Sequence, residues 1–132
     1  MKYLKKFESN DDYSEYGITP EELKYYFIDL VDEGWLVKLR FRKKHIQKHI
    51  YHGQFEFVLV PSIEVEIFKE WSSRNEYQDV LRELMASNSF KEEVDVLKPR
   101  LNDIGLYVKD ISIENRRLRI LIYRKSDSKL IK

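Results

Sequence analysis

Twice along this chain the apolar residues change their repeat from 3.6 to 2, each time across a glycine. Leu23, Tyr26, Phe27, Leu30 and Val31 fall at i, i+3, i+4, i+7 and i+8, which puts one apolar stripe on a helix. Gly34 then offers the left-handed residue at which helices stop. Beyond it Trp35, Val37, Leu39 and Phe41 alternate with Leu36, Lys38, Arg40 and Arg42, the pattern of a strand with one buried and one wet face. The second switch runs from Phe90, Val94, Leu97, Leu101 and Ile104 through Gly105 into a strand starting at Leu106. A chain built on two such joints must bury its helical stripes against one face of a sheet.

The remaining elements follow from caps and turns. Thr19, Pro20 and Glu22 form a capping box with proline at the first helical position, so the first helix is expected from Thr19 to Gly34. Residues 43–53 read as a polar, histidine-bearing connection. Phe55, Phe57 and Leu59 resume the alternation, and Ile63, Val65 and Ile67 continue it. Pro61 lies between these runs and cannot donate to a ladder, so it predicts an edge, a bulge or a break; Ser62 could alternatively cap a short helix through Trp71, but the β-branched residues favour strand. Ser73 and Glu76 make a second capping box ahead of Tyr77, Val80, Leu81, Leu84 and Met85. Ser89 and Glu92 make a third, and Pro99 predicts a kink near Asp95 or two shorter helices. The chain closes with a hairpin, Leu106–Glu114 and Arg117–Arg124, turning at Asn115-Arg116.

The expected fold is α+β: an antiparallel sheet of four to five strands with two to three helices on one face, in the order α-β-β(-β)-α-α-β-β. Asp32-Glu33-Gly34-Trp35-Leu36-Val37-Lys38 and Asp103-Ile104-Gly105-Leu106-Tyr107-Val108-Lys109 share Asp, Gly, Val and Lys at equal offsets, which suggests an internal pseudo-repeat. With 132 residues the chain suits one domain, 18–125, between an acidic leader, 1–17, and a polar tail, 126–132. No cysteine is present, which removes disulfides, thiolate catalysis and cysteine-held zinc. No secretory or membrane-spanning pattern occurs, so a cytoplasmic protein is expected.

Charge is segregated although the net charge is only +1. The stretch from Glu8 to Glu33 is acidic, with Lys24 as its one base. Lys38, Arg40, Arg42, Lys43, Lys44 and Lys48 follow, with no carboxylate between Gly34 and Glu56. If the two hairpins share a sheet, these residues join Arg117, Arg119 and Tyr123 on one exterior, a cationic face with an aromatic on it that could follow a phosphate backbone and stack an unpaired base. Lysine and arginine also serve simply to solubilise and guard a sheet. His45, His49 and His52 would share a side on a helical turn, a weak candidate for zinc disfavoured by the surrounding lysines. No cofactor is called for, and no phosphate cradle, nucleophile elbow or zinc-protease motif is present, so a non-catalytic protein is expected. The surplus of aromatics over core positions, among them Tyr3, Tyr13, Tyr16, Tyr25, Tyr51 and Trp71, points to a partner-binding surface.

The segment Met1-Lys2-Tyr3-Leu4-Lys5-Lys6-Phe7-Glu8-Ser9 and the helix from Glu22 to Gly34 resemble small accessory proteins of tailed bacteriophages. The basic-aromatic start also resembles head-targeting leaders of internal phage proteins, which would make residues 1–8 a recognition tag. The resemblance implies an accessory protein that binds another protein. Nucleic acid is the second partner class, through the face at 38–48 and the C-terminal arginine hairpin.

Overall fold

The computed structural model describes residues 13, 15–71 and 76–131. The first twelve residues of the leader and Ser73 of the second capping box lie outside them. Two short helices, α1 (Pro20–Tyr25) and α2 (Ile28–Asp32), precede the long hairpin β1 (Leu36–His49) and β2 (Phe55–Phe68). Two longer helices, α3 (Glu76–Ala86) and α4 (Asn88–Asp103), precede the hairpin β3 (Leu106–Glu114) and β4 (Arg117–Arg124), and a 3-10 turn covers Lys125–Asp127. The strands form one antiparallel sheet in the order β1-β2-β4-β3. The fold is therefore the expected α+β arrangement: two helix-helix-hairpin units joined through the second strand of each hairpin, with the helices on one face.

Parity decides what is buried. Ile63, Val65 and Ile67 on β2, with Leu118, Ile120 and Ile122 on β4, point to the helical side and are fully buried. They meet Leu23, Phe27 and Leu30 from the first unit and Leu81, Leu97 and Leu101 from the second. Tyr16 belongs to this core and not to a loose leader: its ring packs edge-on against Phe41, and its hydroxyl donates to the Arg42 carbonyl at 3.1 Å. Trp71 packs against Trp35 and donates its indole N–H to the Arg116 carbonyl. Among the described residues no helix is long and apolar enough to cross a membrane.

Several boundaries differ from the expected ones. The first helix is split at Tyr26-Phe27, where the amides bond three residues back to Leu23 and Lys24. Three successive aromatics are poor helix formers, and the break coincides with complete burial of Phe27. Gly34 ends α2 as expected, at φ 97°, with the Trp35 amide reaching the Leu30 carbonyl and the Gly34 amide that of Val31; this is the Schellman pattern. The cap of α4 is Ser87 rather than Ser89: its hydroxyl accepts from the Phe90 amide at 3.2 Å. α4 continues through Pro99 as one helix. The final turn has Asn115 and Arg116 both at positive φ, 54° and 63°, as a two-residue hairpin loop requires. The tail is not simply polar. Asp127 is buried and held by Arg124, and Leu130 and Ile131 are half-buried.

The largest departure concerns the first hairpin. β1 does not end at Arg42 but continues to His49, and β2 runs unbroken through Pro61. Pro61 pairs with Lys43 and lies one residue outside the β2–β4 ladder, which starts at Ser62↔Tyr123. Among the described residues no strand on that side needs its missing amide.

Candidate functional site

Two surfaces follow from this register, one on each face of the long hairpin. The first is the open face of the sheet, where the sequence places its arginines together. Arg40 and Arg42 of β1 flank Glu64 and Glu66 of β2 on one side, and Arg117 and Arg119 of β4 flank them on the other. The hairpins do share a sheet, so the arginines converge as expected. The sequence reading missed the carboxylates between them, although their alternation with Ile63, Val65 and Ile67 puts them on this face.

The side chains bond diagonally across the strands. Arg40 Nε donates to Glu66 at 3.0 Å and Arg117 to the same oxygen at 2.6 Å. Arg42 donates to Glu64 at 3.1 Å, and Arg119 donates two N–H groups to its other oxygen. Arg119 also reaches Glu114. Both central carboxylates are buried beneath this lattice, Glu64 at 5% and Glu66 at 8% relative exposure. Burial raises the Glu66 carboxyl, but the bonds from Arg40 and Arg117 outweigh it and hold the group below the usual carboxylate range. Four arginines against Glu64, Glu66 and Glu114 leave this part of the face close to neutral.

The other members of the expected patch fare differently. Lys38 is exposed, opposite Glu66. Lys44 donates to the Tyr123 hydroxyl at 3.0 Å, and Lys48 lies 4.0 Å from Glu56. Lys43 has the opposite parity and pairs with Glu15 at 3.2 Å on the helical side, so it does not belong to this face. Tyr123 is 3% exposed and offers no ring to a stacking base.

The histidines do not form the helical constellation considered from the sequence. His45 and His49 lie on a strand, where four residues span about 13 Å, too far for a shared metal ion. His52 is in the turn, at φ 56°. The His49 ring stands edge-on to Phe55 at 5.0 Å, and the His52 ring to Tyr51 at 4.7 Å.

The second surface lies where the long hairpin outruns the sheet. β4 accompanies β2 only between Ser62 and Ile67, so residues 43–61 form a two-stranded arm with its turn at Ile50–Gln54. One side of the arm is partly covered: Val60 is buried, and Lys44 and Ile46 border a groove of about 360 Å³ shared with Leu121, Tyr123, Leu130 and Ile131. The other side continues the parity of the core after the helices have ended. It carries Leu59, Phe57 and Phe55 at 51, 70 and 53% exposure, opposite His45, Gln47 and His49. Ile50 and Tyr51 extend the apolar surface into the turn. From sequence, Phe55, Phe57 and Leu59 resume the alternation of a buried face; in the fold they form a stripe that no other described residue covers, with Lys43 on its side, whereas Lys44, Lys48 and Glu56, the arm's sole carboxylate, have the opposite parity.

A separate acidic group lies among the helices. Burial, then the charges of Asp29 and Glu33, push the Glu93 carboxyl on α4 up to about 7. Its Oε1 is buried without a hydrogen-bond partner among the described residues. A carboxyl that keeps its proton longer when folded costs stability as pH rises from its ordinary value near 4.5 through about 7. Glu93→Gln is thus expected to be more stable than the wild type above pH of about 7, with the difference gone below about 4.5. Thermal unfolding across that range measures it.

No family model matches this chain, and no curated protein or solved structure matches it either.

Proposed function

We propose that this is a non-catalytic accessory protein that works by protein–protein interaction, and that the arm at residues 43–61 is its contact surface. The observation that carries this reading is the uncovered Leu59-Phe57-Phe55 stripe. Full burial of each such side chain is worth about 1.5–3 kcal/mol, and an isolated two-stranded ribbon is only marginally stable in water. An arm that leaves three large apolar groups exposed gains that energy when a partner covers them. Charge defines the partner's chemistry. The arm as a whole is cationic, with Lys43 on the stripe's side and Lys44, Lys48 and Glu56 on the other, so an apolar segment that also carries Asp or Glu is steered towards it. The resemblance of residues 1–9 and 22–34 to tailed-phage accessory proteins supports the same kind of role.

Nucleic-acid binding by the arginine face is the weaker reading. A duplex or single strand would have to compete with Glu64 and Glu66, which already engage four arginines, and the buried Tyr123 gives it nothing to stack on.

Selection from a displayed library of random peptides, with the full chain immobilised, tests the proposal. Enrichment of sequences that combine aromatic or aliphatic residues with Asp or Glu, lost when the bait carries Phe57→Ser, is the expected result. No enrichment, or enrichment that survives Phe57→Ser, would contradict it.

A further inference from the structure

The sheet order β1-β2-β4-β3 leaves two outer strands, and among the described residues no strand pairs with the free side of either. Register decides which backbone groups those sides present, because successive residues of an antiparallel strand bond alternately inward and outward. In the long hairpin the Ile50 amide donates to the Gln54 carbonyl at 3.0 Å. Stepping back along β1 from that pair, the N–H and C=O groups of Val37, Leu39 and Phe41 point away from β2. In the second hairpin the two-residue loop closes on the Glu114–Arg117 pair, so those of Ile111 and Ile113 point away from β4. All five side chains lie on the helical side and are half-buried. On the open face, Lys38, Arg40 and Arg42 alternate with the first three, and Asp110, Ser112 and Glu114 with the other two.

We propose that each edge is covered by a second copy of this chain, β1 of one copy adding head to tail to β3 of the next. In an antiparallel sheet of this order β1 and β3 run in opposite directions. A copy displaced by one sheet width therefore meets its neighbour antiparallel, with the helices of both on the same face. Setting Phe41 opposite Ile111 and Leu39 opposite Ile113 joins outward groups to outward groups, and each pair exchanges two hydrogen bonds. The same register places Lys38 opposite Glu114, and Arg42, already bonded to Glu64, opposite Asp110. Lys38 and Asp110 are exposed and have no ion pair among the described residues. Like edges do not match. β1 on β1 sets Lys38, Arg40 and Arg42 against their own kind, and β3 on β3 with Ile111 opposite Ile113 sets Asp110 against Glu114. Charge thus selects the unlike edge. The bulge between Val108 and Asp110 ends the shared ladder before Lys43, so the arm stays free and the contact is independent of its stripe. A heterologous contact of this kind extends into an open chain of copies. Their arms lie side by side about 19 Å apart, the width of four strands, and a partner with repeated segments gains avidity from that array.

Sedimentation velocity of the full chain, at concentrations up to about 1 mM and at low and high salt, tests the proposal. The expected result at low salt is a sedimentation coefficient that keeps rising past that of a dimer, and falls when salt screens the exposed charges. Lys38→Glu and Glu114→Lys are each expected to weaken association about tenfold. Both reversals in one chain restore it, and so does an equimolar mixture of the two single variants, in which each altered edge meets its complement. A wild-type chain that stays monomeric throughout overturns the proposal, as does a discrete dimer that grows no further. Association indifferent to the single reversals, or not restored by the mixture, also overturns it. Association abolished by Phe57→Ser would move the contact to the stripe and overturn it too, whereas peptide binding by the arm is read separately and survives either result.

Discussion

Glu64→Ala is expected to destabilise the fold by about 2–3 kcal/mol, lowering the thermal midpoint by roughly 10 °C for a chain of this size. The carboxylate is the shared acceptor of Arg42 and Arg119, and its removal leaves Arg119, whose side chain is 19% exposed, facing Arg42 across a gap. Breaking a buried ion pair from one side costs about 3–5 kcal/mol. The solvated ends of Arg40 and Arg42 reduce that figure here. Glu64→Gln keeps the shape and one acceptor, so it should cost less.

Glu66 adds a dependence on pH. Its carboxyl titrates below the usual range when folded, so its stabilising contribution is present above the ordinary carboxylate pKa and is lost as pH falls through the depressed value. Glu66→Gln should therefore flatten the acid limb of the stability profile, whatever it does to stability at neutral pH. Equilibrium unfolding by urea at several pH values measures both effects. An unchanged midpoint in Glu64→Ala would show that the lattice is only a crossing of solvated side chains.

The arm should respond in the opposite way. Combining Phe55→Ser, Phe57→Ser and Leu59→Ser is expected to move the thermal midpoint by no more than about 6 °C, because half or more of each side chain is already in water and each surface change of this kind is usually worth about 0.5 kcal/mol or less. Affinity for a selected peptide is expected to fall at least about 100-fold, since aromatic anchors of an interface commonly contribute about 2 kcal/mol or more each. Phe57→Ser alone, at the centre of the stripe, should account for about 30-fold. A large loss of stability would instead identify these residues as structural, and the expected separation between folding and binding would disappear.

The contrast between these two sites also marks what the sequence can convey. Alternation from Trp35 to Phe41 and from Ile63 to Ile67 identifies strands whose apolar parity meets the helices, and the two glycine joints give the element order. The same alternation at Phe55, Phe57 and Leu59 indicates only which side these residues share. Whether anything covers that side depends on where β4 and the helices end, a tertiary fact with no local signature. Lys43, His45, Gln47 and His49 hide the extension of β1 for a related reason. Beyond the core the inward positions have nothing to bury, so both faces become polar and the segment reads as a loop.

The arginine face was half legible. Its convergence follows from one sheet containing both hairpins, but its electrical meaning depends on register. Arg40 faces Glu64 and Arg119 faces Glu66 across β2, and a one-residue slip would have sent the carboxylates to the other side. The cap at Ser87 could not be separated from Ser89 by motif, because both precede the buried Phe90 at a spacing compatible with a helix start.

Backbone amide shifts recorded while a selected peptide is titrated into the isotope-labelled full chain bear most directly on the central claim. Perturbations concentrated at residues 45–49 and 55–59, with Glu64, Glu66, Arg117 and Arg119 unmoved, are the predicted result. Perturbations centred on the arginine–glutamate lattice, with the arm silent, would contradict it.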